Sequence, residues 1–225
     1  MRILTFLCVV LIISCTPPVV FEQAYPLGQD DLTSIPKLYQ GTFICESDSA
    51  LIIISDYHVT LHKTHYFETK IKYVEEREEC KLVDDKMYVS GRLECIPVSI
   101  VNDSMLRGTY QETDTLFKIQ RESIARLYKG HLVLNQKIKP KEWAISLLTS
   151  EYGGDITYRA ITSETKISNV ISVTHTTEIT TDQDKSPRYK VKPTMKEFNA
   201  LLEDKKVFIE CEYLVRVKLE NLFLN

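Results

Sequence analysis

The feature that most limits the fold is a succession of strand-like segments that begins near Leu38 and runs to about Thr149, the plainest of them with a side-chain alternation of period two. Successive side chains of a strand point to opposite faces, so strict apolar/polar alternation marks half-buried strands. His65 to Val74 shows it clearly, with Phe67, Thr69, Ile71 and Tyr73 on one side and Tyr66, Glu68, Lys70 and Lys72 on the other. Gly41 to Glu46 and the apolar run Ala50 to Ile54 also read as strands, and Tyr57 to His62 alternates, with polar turns between them at Ser47-Asp48-Ser49 and Ser55-Asp56. Met87 to Ser90, Arg92 to Val101, His131 to Asn135 and Glu142 to Thr149 continue the series. Pro97 cannot donate to a ladder and confines its strand to an edge or a bulge. Glu75 to Glu79 reads as a solvated acidic turn. Twelve tyrosines against seven glycines suit pleated surfaces and lean the same way.

A loose repeat accompanies the alternation. Gly41-Thr42-Phe43 followed by Asp48-Ser49-Ala50-Leu51 recurs as Gly108-Thr109-Tyr110 followed by Asp114-Thr115-Leu116. Leu38-Tyr39-Gln40-Gly41 recurs as Leu127-Tyr128-Lys129-Gly130. Each copy reads as a hairpin with glycine at the bend and Asp-Ser/Thr in the turn. Such units bury their apolar faces only by stacking, which predicts a meander of hairpins. Past Tyr152-Gly153-Gly154-Asp155, a turn, and Ile156 to Ile161, a strand, the character changes, and a sub-boundary is expected near 150–165. Ile167, Val170 and Ile171 fit a short helix; Val173 to Thr181 and Tyr189 to Lys192 read extended, with a loop at Asp182 to Pro187 between them. Pro193-Thr194-Met195-Lys196-Glu197 opens a helix with a capping box, and Val207 to Leu219 closes the chain as a strand. The fold class expected is α+β, predominantly antiparallel β, with one or two short helices near the C-terminus.

The N-terminus fixes the compartment. Arg2 is followed by Ile3 to Ile13, apolar except for Thr5, and then by Ser14 and Cys15. That order of charge, short apolar run and small residue belongs to an export signal. A spanning helix needs about 20 apolar residues, more than this run supplies. Ile12-Ile13-Ser14-Cys15 resembles the lipobox of bacterial lipoproteins. The resemblance implies that residues 1–14 are removed and that Cys15 is lipidated as the first mature residue. Several acyl chains anchor stably where one is marginal. Thr16 is not an acidic inner-membrane retention residue, so an outer-membrane destination is expected. Thr16 to Pro36, punctuated by Pro17, Pro18, Pro26, Gly28 and Pro36, reads with Cys15 as a lipidated, flexible tether over 15–36 ahead of a single domain over 37–225.

A second resemblance spans the later half. Leu127-Tyr128-Lys129-Gly130, Leu132-Val133-Leu134-Asn135, Trp143 in a strand, and Lys192-Pro193-Thr194 with Lys196-Glu197-Phe198 are similar to uncharacterised lipoproteins of the Bacteroidetes group. No activity attaches to that family, so the resemblance bears on compartment and architecture.

Candidates for chemistry are few. Lys and Arg number 28 against 31 Asp and Glu, a formal charge of −3, which argues against a nucleic-acid partner. His58, His62 and His65 would line one face of a helix as a metal triad. On the strand that their neighbours favour, His58 and His62 share a face about 13 Å apart and His65 points away. They therefore read as strand histidines, with His58 and His62 the only metal candidates. Cys45, Cys80, Cys95 and Cys211 lack close metal spacing; outside the cytoplasm they could pair, or stay as buried free thiols at strand positions, and Cys80 with Cys95, across a turn at Asp84-Asp85, is the first pair to test. Gly153-Gly154 fits a hairpin turn better than a phosphate loop. There is no Gly-x-Ser-x-Gly and no Ser-x-x-Lys of the penicillin-binding type near companion motifs, and no cofactor is expected. The expectation is an envelope lipoprotein with a binding or structural role, its partners the membrane through Cys15 and an envelope protein or ligand. The alternatives are an envelope hydrolase and a barrel carrying an apolar ligand, the last predicting an apolar cavity where the binding role predicts a filled core and an exposed aromatic patch.

Overall fold

The computed structural model describes residues 17–91, 94–179 and 187–217. The export signal, Cys15, the loop at 182–186 and the last two residues of the final expected strand lie outside them. The chain is predominantly β with three short helices among the described residues. The strands are β1 (Val19–Phe21), β2 (Gly41–Cys45), β3 (Leu51–Ile54), β4 (His58–Lys70), β5 (Cys80–Val83), β6 (Lys86–Val89), β7 (Ile96–Asn102) and β8 (Met105–Lys118). They continue as β9 (Ser123–Tyr128), β10 (His131–Lys139), β11 (Glu142–Ser150), β12 (Ile156–Ala160), β13 (Thr176–Glu178), β14 (Tyr189–Val191) and β15 (Ile209–Arg216). The helices are α1 (Ile71–Glu75), α2 (Ile167–Ile171) and α3 (Met195–Glu203).

Neighbours in the sheet run β9-β10-β11-β12-β15-β2-β3-β4-β8. All nine strands send side chains into one core, from Ala125 on β9 through Leu148, Leu214 and Phe43 to Phe117 on β8. Strands so far apart in the order reach one cluster only if the sheet curls around it. The seam between β9 and the far side is bridged by the segment after β1: Leu32 N donates to Ala125 O at 2.8 Å, and Ile35 N to Asp56 O at 2.7 Å. Tyr39 Oη donates to Gly130 O at 2.9 Å, and Ile35 and Tyr39 fill the interior at 1% exposure each. Lys129 and Gly130, at φ 49° and 78°, make the tight turn from β9 to β10 that the twist of a two-residue hairpin requires.

The strands β10 and β11 are buried on both faces, which is why His131 to Asn135 reads as an apolar run. Leu132, Leu134 and Leu148 point into the curled core; Val133, Ile145 and Leu147 point out, into a second one. That second core is closed by β1, Tyr25, α2 and α3. Thr194 caps α3: its Oγ1 accepts from Glu197 N at 3.3 Å while the Glu197 carboxylate accepts from Thr194 N at 2.7 Å. Phe198, Leu201 and Leu202 then turn fully inward, each burial contributing about 1.5–3 kcal/mol. Beyond the curled sheet β4 and β8 run on as a long ribbon. With β5, β6, β7 and α1 it forms an arm around a third cluster, in which Val74, Met87, Val98 and Leu106 are buried and Phe67 and Tyr110 pack.

Five expectations are corrected. The tether expected over 15–36 is, from Pro17 on, part of the fold: Val19, Val20 and Phe21 are 0–2% exposed, and β1 pairs in parallel with β14. Enough apolar surface is buried there to outweigh the conformational cost of ordering a proline-punctuated segment. The parallel pair, and the insertion of β15 between β12 and β2, make the sheet something other than a meander of hairpins. Asp114-Thr115 is no turn but lies mid-strand, paired with Leu61 and Thr60 in the β4–β8 ribbon. The strand expected over His65–Val74 stops at Lys70, and Ile71 to Glu75 coil into α1, which buries Val74. The sheet also continues through 150–165, since β12 pairs with both β11 and β15.

Candidate functional site

The histidines of β4 do not converge. His62 is taken up by two threonines, Nε2 lying 3.0 Å from Thr60 Oγ1 and Nδ1 3.1 Å from Thr113 Oγ1. His65 stacks on Tyr110 and holds Nε2 2.9 Å from Glu112 Oε2, off the line of a good hydrogen bond. His58 pairs across to Lys118 at the other end of the ribbon. Among the described residues no group of three His, Cys, Asp or Glu side chains could hold a metal ion.

Cys80 and Cys95 are free thiols, the second of the two alternatives, and not the possible pair. Cys80 lies opposite Val89 on β5, and Cys95 immediately precedes β7, with β6 between the two strands. Two strand spacings are roughly 9–10 Å, too far for a disulfide. The register also sends them to opposite faces, Cys80 with Met87 and Val89, Cys95 with Tyr88. Buried Cys45 has its thiol pushed up to about 11, first by burial and then by Glu212 and Asp48. Cys211 reaches the surface, yet its thiol is also raised, mainly by burial against its own strand, and it donates to Ile209 O at 3.5 Å. A protonated thiol is a poor nucleophile.

The most concentrated polar feature is a row across the outer face of β10, β11, β12 and β15: His131, Thr149, Thr157 and Tyr213 stand opposite one another in register. His131 Nδ1 and Thr149 Oγ1 share a hydrogen bond of 2.7 Å; burial, and then the Arg159 cation, lower the imidazole's pKa and keep it neutral at pH 7. Thr157 Oγ1 donates to Glu151 Oε1 at 2.8 Å. Tyr213 Oη donates to Asp155 Oδ2 at 3.1 Å, and that bond holds the phenol above its ordinary range. A cleft of about 240 Å³ opens beside Tyr213, walled by Glu46, Ser47, Glu210, Cys211 and Glu212, in which the Glu212 carboxylate accepts from both Ser47 N and Ser47 Oγ.

A hydroxyl beside a neutral imidazole is one element of nucleophilic chemistry. Here Thr149 is the next-to-last residue of β11, with ladders on both sides, to His131 and to Thr157. The row is suited to holding polar groups of a ligand or to covering the sheet. Sequence reasoning missed it because its members are spread from 131 to 213 and meet only through strand order. No helix among the described residues is long and apolar enough to cross a membrane. The chain matches no known family model, no curated protein and no solved structure.

Proposed function

We propose that the chain is an exported lipoprotein of the Gram-negative outer membrane, anchored through Cys15, whose folded domain serves a binding or structural role and not a catalytic one. The anchor half rests on Ile12-Ile13-Ser14-Cys15 directly behind the apolar run. The binding half rests on where the bulky side chains lie. The interior of the curled sheet is occupied by Ile35, Tyr39 and Phe43, which favours a binding surface over an apolar-ligand carrier. Exposed apolar surface collects on the arm instead, at Tyr66 (77%), Tyr73 (53%), Tyr88 (47%) and Ile100 (59%). By the alternation of β4 and β6, Tyr66 and Tyr88 share the arm face turned away from Phe67 and Met87. Exposed tyrosines set among polar side chains are the usual anchors of recognition surfaces.

A mass spectrum of the mature N-terminus from native membranes, beside a Cys15→Ala variant, tests the anchor. Acyl chains on Cys15 and a variant released into the soluble fraction are expected; a mature chain beginning elsewhere without lipid overturns it. Co-purification with Tyr66→Ala/Tyr88→Ala tests the surface, and an unchanged set of partners at unchanged yield overturns that half.

A further inference from the structure

The arm is joined to the rest of the fold by a neck of two strands. β3 stays beside β4 only as far as His62, opposite Leu51, and β7 joins β8 only at Gly108, opposite Val98. Between these points Lys63 to Tyr66 pair with Thr109 to Glu112, and no third strand flanks them among the described residues. The cores part at the same place. Val59 and Phe117 belong to the curled core and Val98 and Leu106 to the arm's cluster, while no residue of 60–66 or 109–116 is buried. That gap covers about 24 Å of ribbon at the strand rise.

A ribbon with neither a third strand nor a packed face is a soft piece of sheet. Twist between neighbouring strands ranges over about 10–35° and is largest in two-stranded ribbons, which are marginal by themselves. Side chains brace the neck. Lys63 Nζ lies 3.2 Å from Asp48 Oδ2, and Asp48 is held in the β2–β3 turn, its Oδ1 accepting from Ala50 N at 3.0 Å. This pair is a strut from the body to the neck, solvated and therefore weak. His65 stacks on Tyr110 with ring centroids 4.9 Å apart, a contact inside the ribbon that turns with it. The arm, by contrast, is tied together from within. Val98 N donates to Asp85 O at 2.9 Å, Ile71 N to Ser104 O at 3.0 Å, and Arg107 pairs with Glu68 at 2.6 Å.

We infer that the arm swings as one body about this neck, with the Lys63–Asp48 pair setting its resting angle. β5 lies three strands from β8 in the sheet order, about 14 Å away, so a change of about 20° in the twist of the neck carries it about 5 Å. Tyr66 sits in the neck and Tyr88 on the arm, so the swing also changes the separation of these two side chains. On the binding role proposed above, the surface then adapts to its partner; the swing itself does not rest on that role.

The test is pulsed electron–electron double resonance on the full-length chain in detergent, with nitroxides attached to a ketone-bearing residue so that the native cysteines stay unlabelled. One pair of labels joins arm to body, at Lys81 on β5 and Gln136 on β10; the control pair, Gln136 and Lys166, lies within the body, and all three positions are exposed. Amide exchange is recorded on the same samples. The arm–body distance distribution is expected to be wider than the control by about 5 Å, and wider still in Lys63→Ala, while the amides of Val98 and Leu106 stay protected to within about twofold. An arm–body distribution no wider than the control overturns the swing. A wide one with fast exchange at Val98 and Leu106 also overturns it, since the arm would then be unfolding and not turning as a body. A width that Lys63→Ala does not move overturns the strut.

Discussion

Asn135 is the residue on which the burial of the N-terminal segment turns, and replacing it with leucine isolates the effect. Both Asn135 and Tyr25 are 0% exposed. The amide pairs with the Tyr25 backbone on both sides, Oδ1 accepting from Tyr25 N at 2.8 Å and Nδ2 donating to Tyr25 O at 2.7 Å. Leucine has the same branched outline with bulkier methyl ends, so Asn135→Leu opens no cavity but strands two buried backbone groups. Each stranded group costs about 1–3 kcal/mol, giving about 2–6 kcal/mol in all. Exchanging a buried amide for an aliphatic group returns about 1 kcal/mol, for a net loss of about 1–5 kcal/mol. At about 2–4 °C per kcal/mol for a domain of this size, the melting temperature should fall by about 2–20 °C, most plainly above 5 °C. Urea titration followed through Trp143, the one tryptophan, reports on the segment directly, because Trp143 pairs with Phe21 on β1. Hydrogen exchange at 19–25 should quicken more than at the β2–β3 hairpin. A midpoint change worth less than about 0.5 kcal/mol, with exchange at 19–25 already fast in the parent, would refute the claim that this segment is core.

Arg216→Lys should destabilise by about 2–4 kcal/mol and behave nearly like Arg216→Ala in thermal melts, because one ammonium cannot replace a guanidinium that donates to Gly154 O, Gln40 O and Leu38 O while lying 4.7 Å from the Phe43 ring; a lysine variant as stable as the parent would sink this. Gly108→Ala should cost about 1–3 kcal/mol, since a Cβ there would run into the Phe67 ring at Cζ, and Phe67→Leu in the same chain should recover part of the loss in denaturant titration. The Cys45 thiol should resist a disulfide reagent at pH 8 until the chain is unfolded. Its folded pKa of about 11 stands above the ordinary 9, so the stability it contributes is complete below pH 9 and is lost as pH rises through 11. A Cys45→Ser variant with the same alkaline melting profile would contradict that assignment.

What the sequence disclosed is what local physics decides. The capping box at Thr194 and Glu197 predicts α3 because both partners lie within one turn. Alternation predicts β2, β3, β4, β10 and β11 because burial of one face, or of both, writes itself into successive residues. The misses are places where distant residues outvote local preference. Asp114-Thr115 has turn chemistry, but β4 pairs with it residue by residue and the ribbon overrides it. Ile71-Lys72-Tyr73-Val74 fits either period, and the third cluster settles it by taking Val74 and Ile71 from a helix. At the N-terminus, prolines drew attention away from Val19-Val20-Phe21, an apolar run that a solvated tether has no reason to carry. The polar row from His131 to Tyr213 had no local signal, since strand order alone assembles it.

The same polar side chains that escaped the sequence explain how a proline-punctuated segment can be core at all. Loops seldom enter protein interiors because their carbonyls lose water without gaining partners. Here partners are supplied in trans. Arg126 gives NH1 to Ala24 O and Pro26 O while its Nε holds Asp31; Arg188 reaches Pro17, Arg216 takes Leu38 and Gln40, and Asn135 takes Tyr25. Guanidinium groups suit the task, since one planar fork can serve several carbonyls that no regular strand would align. The clasp runs from residue 17 to residue 40, so the segment cannot also serve as a flexible spacer. A lipid placed at Cys15 would therefore be joined to a segment held by the fold from Pro17 on, and not to a free tether over 17–36.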